Sequence, residues 1–153
     1  MTGTQSLSIR PVGADDFSAW RALWVGYLTY YETTLPDHVI TTAFERLMSN
    51  DPTSFHGRLA LRDGVALGLV HYLFHSHMWR VEPVCYLQDL YTTPDARGQG
   101  VARALIETVY ADADAAGAPR VYWLTQEFNY QSQMLYDQVG RKSPFTRYDR
   151  PPN

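Results

Sequence analysis

The sequence predicts a single mixed α/β (α+β) domain, a central mixed sheet flanked by helices, and three observations carry that prediction. Stretches rich in β-branched and aromatic residues alternate with stretches of helical spacing over nearly the whole chain. Asp63-Gly64 joins two of the strand-like stretches, a strong two-residue hairpin signal. Between Tyr86 and Ala116 a strand, a glycine-bearing turn and a helix follow one another without a break. No repeat, low-complexity tract or long linker divides the chain, so residues 1–153 are expected to form one domain, with residues 1–6 flexible.

Each element has a local reason. Leu7 to Val12 reads as a first strand closed by Pro11 and Gly13. Asp15 or Asp16 is expected to cap the helix that follows, whose apolar face is Phe17, Trp20, Leu23, Trp24, Tyr27, Leu28 and Tyr31. A second helix begins after Pro36 and runs through Val39, Ile40, Ala43, Phe44 and Leu47 to Asn50. Gly57 to Arg62 and Val65 to His75 form the hairpin. Val84 to Thr92 is a central strand, and Pro94 forbids further ladder pairing. Ala102, Leu105, Ile106, Val109, Tyr110 and Ala113 then keep helical spacing until Gly117 caps the helix and Pro119 prevents its continuation. Arg120 to Thr125 reads as a strand, Asn129 to Gly140 as a helix, and Phe145 to Tyr148 as a terminal strand.

Composition excludes several functions. The chain has 153 residues, 45% of them hydrophobic, enough to bury a sizeable core. Thirteen basic against sixteen acidic residues give a net charge of −3, which argues against nucleic acid as a ligand and mildly favours a cationic substrate. Cys85 is the only cysteine, so no intrachain disulfide forms and a reducing compartment is the simpler reading. No apolar run reaches membrane-spanning length, and Met1 to Ser6 lacks the pattern of a signal peptide. A cytoplasmic protein with no membrane association is expected.

The start of the third helix carries the chemistry. Gly98 and Gly100 allow conformations and close approaches that a β-carbon would block. Unpaired N–H groups and the helix dipole then favour a phosphate or pyrophosphate, with Arg97 and Arg103 adding fixed charge. The phosphate-loop signature, Gly, four residues, then Gly-Lys-Ser/Thr, is absent. The dinucleotide fingerprint fails too, because Arg103 stands where its third glycine belongs and no acidic residue lies about 20 positions on. A plain tight turn remains the alternative.

Arg97-Gly98-Gln99-Gly100-Val101-Ala102, directly after a strand ending in Leu-Tyr-Thr-Thr-Pro, resembles the acetyl-coenzyme-A motif of the GCN5-related N-acetyltransferase (GNAT) family, matched at Arg97, Gly100 and Ala102. A second stretch is similar to that family's Asn-x-x-Ala-x-x-x-Tyr-x-x-x-Gly helix at Asn129, Tyr136 and Gly140. Ser132 replaces the usual alanine, and Arg141 stands where an aromatic often follows the glycine. The resemblance implies an acyl-CoA N-acyltransferase fold in which two parallel strands of the mixed sheet splay apart. It implies acetyl-CoA as cosubstrate and no metal. It also implies direct acetyl transfer, in a ternary complex, to a primary amine on a polyamine, a lysine or histone-like peptide, or another small amine.

The roles follow from that implication. Leu90, Tyr91 and Thr92 would offer main-chain groups to the pantetheine arm and the thioester oxygen. Arg97, Gly98, Gln99, Gly100, Val101, Ala102 and Arg103 would hold the diphosphate. Asn129 would contact the pantetheine arm, or serve as a helix N-cap, or both. Tyr136 would protonate the departing sulfur, the alternative being a tyrosine whose ring fills the core. An alkyl ammonium has a pKa of about 10.4 and must lose a proton before attacking. Gln88 and Asp89 are expected on opposite faces of the central strand by period-two alternation. Glutamine cannot be a base, so Asp89, Glu127 or a water chain would accept the proton, unless Asp89 is a structural carboxylate. Tyr31, Glu32, Gln88 and Glu127 are the candidate substrate contacts, with rings beside Glu32 able to hold an ammonium.

His71, His75 and His77 would share one side of an unbroken strand, but no Cys or carboxylate completes a zinc pattern and none is expected. Tyr-Leu-Gln-Asp-Leu-Tyr and Val-Tyr-Trp-Leu-Thr-Gln-Glu-Phe-Asn look similar to the small histone and polyamine acetyltransferase branch, which implies a homodimer or higher homo-oligomer. A non-catalytic acyl-CoA-binding regulatory module is the alternative function.

Overall fold

A computed structural model describes residues 6–152, so most of the terminal stretch expected to be flexible lies outside the described residues. Five strands form one sheet in the order β1-β2-β3-β4-β5: Ser8–Pro11, His56–Arg62, Val65–His75, Val84–Thr92 and Val121–Tyr122. β1 to β4 are antiparallel neighbours, whereas β4 and β5 run parallel. Asp63 and Gly64 both take positive φ, 55° and 76°, as the predicted hairpin turn requires.

Helices α1 (Phe17–Tyr30) and α2 (Asp37–Met48) cover one face of the sheet, where Trp20, Leu23, Leu28 and Ile40 pack on Leu59 and Leu69. Helices α3 (Val101–Ala115) and α4 (Tyr130–Val139) cover the other, where Leu105, Ile106 and Val109 pack on Ala60, Val70 and Leu87. Gly68 lies opposite α3, and a β-carbon there would come within 2.8 Å of the Tyr91 carbonyl and 2.9 Å of Val101. Gly117 ends α3 at φ 71°, and the Ala118 amide reaches back to the Ala113 carbonyl at 2.9 Å. No helix among the described residues is long and apolar enough to cross a membrane.

Three expectations are corrected. Neither Asp15 nor Asp16 caps α1 through its side chain, because a 3-10 turn (Ala14–Asp16) intervenes. Asp16 instead takes two hydrogen bonds from Arg10, at 2.6 and 2.9 Å, and one from the Gly13 amide. The strand at Arg120 to Thr125 shrinks to Val121–Tyr122, the stretch over which β4 is close enough to pair. Phe145 to Tyr148 pairs with none of the five strands and lies at the surface; Phe145 and Tyr148 are 81% and 93% exposed.

Candidate active site

The turn before α3 holds Gly98 at φ 76° and Gly100 at φ 83°, both in the left-handed region that disfavours a side chain. A β-carbon at either would meet nothing within 4 Å, so the demand for glycine is one of backbone angle and of the open space in front. The first backbone bond of α3 runs from the Ala104 amide to the Gly100 carbonyl at 3.0 Å. The N–H groups of Val101, Ala102 and Arg103 therefore have no helical acceptor. Arg97 lies over the Tyr30 ring, 5.5 Å from its centroid, and Arg103 bonds the Gln138 side chain.

These groups border a cleft of about 570 Å³ between α1, β4, α3 and α4. β4 and β5 pair only at Cys85–Val121 and Tyr86–Tyr122 and then part, so from Leu87 onward the outer edge of β4 has no strand beside it. Leu90, Tyr91 and Thr92 line the cleft, and the buried Thr92 hydroxyl has no hydrogen-bond partner among the described residues. Helix amides without helical acceptors and an open strand edge border one cleft, and such groups can hydrogen-bond the diphosphate and pantetheine amides of coenzyme A.

Tyr136 reaches the cleft from α4. Its ring meets Trp123 edge-on at 5.5 Å, and Trp123 lies so close to Gly140 that a β-carbon there would be 2.9 Å from the indole. That contact is the physical reason for the glycine four residues after the tyrosine. Burial holds the Tyr136 phenol above its ordinary value; the Tyr31 and Tyr30 phenols push the same way and the Ser132 hydroxyl opposes them. Asn129 is an N-cap, accepting from the Ser132 amide at 3.2 Å, and it also lines the cleft.

A second, smaller pocket of about 170 Å³ lies against the next residues of β4. His71 pairs with Asp89 and Tyr72 with Leu87, so Gln88 is an extra residue, a β-bulge. The bulge overturns the expectation that Gln88 and Asp89 face opposite sides, and both line the same pocket. Asp89 is 6% exposed and its Oδ2 lies 3.0 Å from Nδ1 of His71. His71 in turn accepts at Nε2 from the Trp20 indole at 2.9 Å. Trp24, Leu35, Val39 and Phe55 supply apolar walls. Arg46, at the end of α2, lines the pocket while remaining exposed, and it makes no ion pair among the described residues.

The remaining candidates divide. Tyr31, Gly98, Gly100, Val101, Ala102 and Arg103 border the larger cleft. Gln99 is drawn aside, accepting from Arg62 at 2.6 Å and donating to the Asp95 carbonyl. Glu32 and Glu127 line neither pocket. The three histidines disperse: His75 meets the Ser76 carbonyl and Tyr122 hydroxyl, and His77 accepts from the Trp79 amide. Sequence reasoning missed Tyr27, Arg46, Gly26 and the acceptor role of His71. Gly26 had a signal, being a glycine inside a helix; a β-carbon there would come within 2.7 Å of the Tyr91 hydroxyl.

The signature described as the acetyltransferase (GNAT) family matches residues 17–140. The chain belongs to this family. It is 42% identical over 145 residues to the D-amino-acid N-acetyltransferase HPA3 of Saccharomyces cerevisiae, covering 93% of this chain and 89% of that one. It is 27% identical over 100 residues to the aminoalkylphosphonate N-acetyltransferase of Salmonella typhimurium, covering 65% and 64%. Among solved structures, the aminoglycoside N-acetyltransferase AAC(6')-Iy in complex with CoA superposes with a TM-score of 0.83 at 21% identity, covering 99% of this chain and 98% of that one. The mixed sheet with its parting parallel pair is thus the family's fold, and the chain is an acetyl-CoA-dependent N-acetyltransferase. The non-catalytic module is set aside.

Proposed function

We propose that this enzyme acetylates the primary amine of a small amino-acid-like acceptor by direct attack in a ternary complex. The observation that carries the proposal is that consecutive residues of one bulged strand line two pockets. Leu90 to Thr92 face the cleft that fits coenzyme A, and Gln88 and Asp89 face the smaller pocket. Acetyl-CoA supplies the thioester carbonyl. Asp89 takes a proton from the acceptor's ammonium, which frees the nitrogen lone pair. Main-chain groups on the open edge of β4 stabilise the negative charge that develops on the carbonyl oxygen. As the C–N bond forms and the C–S bond breaks, the nitrogen gives up its second proton to solvent, Tyr136 gives its phenolic proton to the sulfur, and the phenolate regains a proton from solvent before the next turnover. The Tyr136 phenol, raised by burial, stays protonated at neutral pH and so is available as an acid.

The acceptor class rests on charge. Asp89 would meet an ammonium and Arg46 an acid group, with apolar walls between them. D-amino acids and aminoalkylphosphonates, the substrates in the names of the two relatives, both carry an amine and an acid on one small skeleton. Polyamines and lysine peptides, expected from the sequence, lack the nearby acid. A thiol-release assay with acetyl-CoA against D- and L-amino acids, aminoalkylphosphonates, polyamines, lysine peptides and aminoglycosides tests the reading. Release that is fastest with polyamines, and indifferent to an acid group, would refute the amino-acid-like acceptor. The expected homo-oligomer is supported by the exposed Met78, Trp79 and Val81, and light scattering on the purified chain tests it.

A further inference from the structure

We infer that His71 is a positioning residue for the proton acceptor: Trp20 locks its ring in one neutral tautomer, and that ring fixes the Asp89 carboxylate against the smaller pocket. The inference rests on the reading of Asp89 as the base, and it concerns a residue that lines the same pocket and acts through Asp89.

The assignment follows from what each atom can do. An indole N–H only donates, so His71 Nε2, 2.9 Å from Trp20 Nε1, must accept. A neutral imidazole then carries its proton on Nδ1, which donates to Asp89 Oδ2 at 3.0 Å. Trp20, His71 and Asp89 are 0%, 4% and 6% exposed, so water does not compete for these bonds. The indole therefore fixes which nitrogen of the neutral ring carries the proton.

Three consequences bear on the reaction. The histidine bond engages one carboxylate oxygen, leaving the other to the pocket and to the neighbouring Tyr27 phenol, which burial and the Asp89 charge together push up. Because the donor is neutral, the charge of Asp89 is not cancelled by an imidazolium and remains for the acceptor's ammonium. Because Nε2 is already occupied by Trp20, a proton taken by Asp89 cannot pass on through the ring. The groups that face Asp89 are Tyr27 and Tyr31 from α1 and its end, Tyr86 from β4, and His71 from β3. Arg46 lines the same pocket. Trp20 and Trp24, which face His71 at ring distances of 6.0 and 5.1 Å, do not titrate.

The test compares His71→Ala, His71→Asn and Trp20→Phe with Asp89→Asn, reading kcat from pH 5.5 to 9.5 and coenzyme affinity by titration. The amide of Asn places a donor near the position of Nδ1. His71→Ala is expected to lower kcat by about thirtyfold or more, less than the roughly 10² to 10⁴ a general base supplies because the carboxylate is displaced and not removed, with coenzyme Kd changed less than about twofold. His71→Asn is expected to recover most of that loss. Trp20→Phe removes the indole donor and keeps an apolar ring, so a kcat loss smaller than that of His71→Ala is expected. A folded His71→Ala with unchanged kcat, or equal losses in His71→Ala and His71→Asn, overturns the inference. Should a variant not fold, nitrogen NMR of the wild type decides: a neutral ring protonated at Nδ1 supports it, and a neutral ring protonated at Nε2 overturns it. Full turnover in Asp89→Asn would instead sink the base itself, so the two failures are distinguishable.

Discussion

Replacing Tyr136 by phenylalanine removes one hydroxyl and leaves a ring that meets Trp123 at 5.5 Å, so the packing of α4 is retained. The fold loses at most about 1 kcal/mol, the net worth of one hydrogen-bonding group. General acids contribute about 10² to 10⁴ in rate. A thiolate, with an ordinary pKa near 8.5, is a tolerable leaving group without help, so the low end applies. A ten- to hundredfold fall in the acetyl-transfer rate is expected, about 1.4 to 2.7 kcal/mol in the barrier. Rapid-quench measurement of the first turnover, with both substrates saturating, isolates that step from product release. The pH profile supplies a second check. The acid form is the active one and its phenol is raised above the ordinary value of about 10. Activity attributable to it should therefore be complete at neutral pH and fall only as pH rises through the raised value. A first-turnover rate within twofold of wild type would remove Tyr136 from the acid role. A loss confined to coenzyme affinity would recast it as a binding residue.

Other substitutions test the remaining parts of the site. Gly100→Ala puts a β-carbon into open space at φ 83°, so the cost to stability is the backbone term alone, about 1 to 2 kcal/mol. Its methyl borders the cleft, and coenzyme Kd should rise at least about tenfold; an unchanged Kd would argue that the turn is only a turn. Arg46→Ala should raise KM for acceptors bearing an acid group and leave KM for the matching amides unchanged, whereas equal effects on both would dismiss its role in selection. Asp16→Asn tests a linkage at the entrance to α1. Hydrogen bonding to Arg10 is the main cause that lowers the Asp16 carboxyl in the folded chain. The stabilisation is therefore present above the unfolded value of about 3.9 and lost as pH falls through the lower folded one. The variant should melt below wild type at pH 7, and the gap should close in acid; a gap that persists at pH 2 would contradict the assignment.

What the sequence made legible was the part governed by neighbours along the chain. Pro94 stops β4, the left-handed Gly100 opens α3 and Gly117 closes it, and each boundary falls within a residue or so of its signal. The hairpin turn at Asp63-Gly64 is equally local. Strand content at the C-terminal end was misjudged because a strand exists only where another edge lies beside it. Phe145 to Tyr148 has suitable residues, but β5 ends at Tyr122 and β4 has already turned away. The bidentate bond of Arg58 to Asp112, joined by the Tyr72 hydroxyl at 2.6 Å, ties β2 and β3 to α3 across more than 50 positions in the case of Arg58. No periodicity announces such a pair.

The site depends on one departure from periodicity. Cys85 and Leu87 pack with the α3 side of the sheet, and strict alternation would send Asp89 and Tyr91 after them into an apolar core against Leu105. The extra residue at Gln88 shifts the phase. Leu90 now belongs to the α3 side, Tyr91 packs with the α1 side, and Asp89 faces His71 and the smaller pocket. A carboxylate that would otherwise be buried without a partner thus gains a donor and an opening. The same strand has lost β5 as a neighbour two residues earlier, so its outer edge is open on one flank while its re-aimed carboxylate faces the other. In the proposed mechanism the bulge brings the carboxylate that would take the acceptor's proton within a residue of the edge where the thioester would lie. That is why alternation, sound for the rest of β4, could not reveal which of Gln88 and Asp89 meets the acceptor.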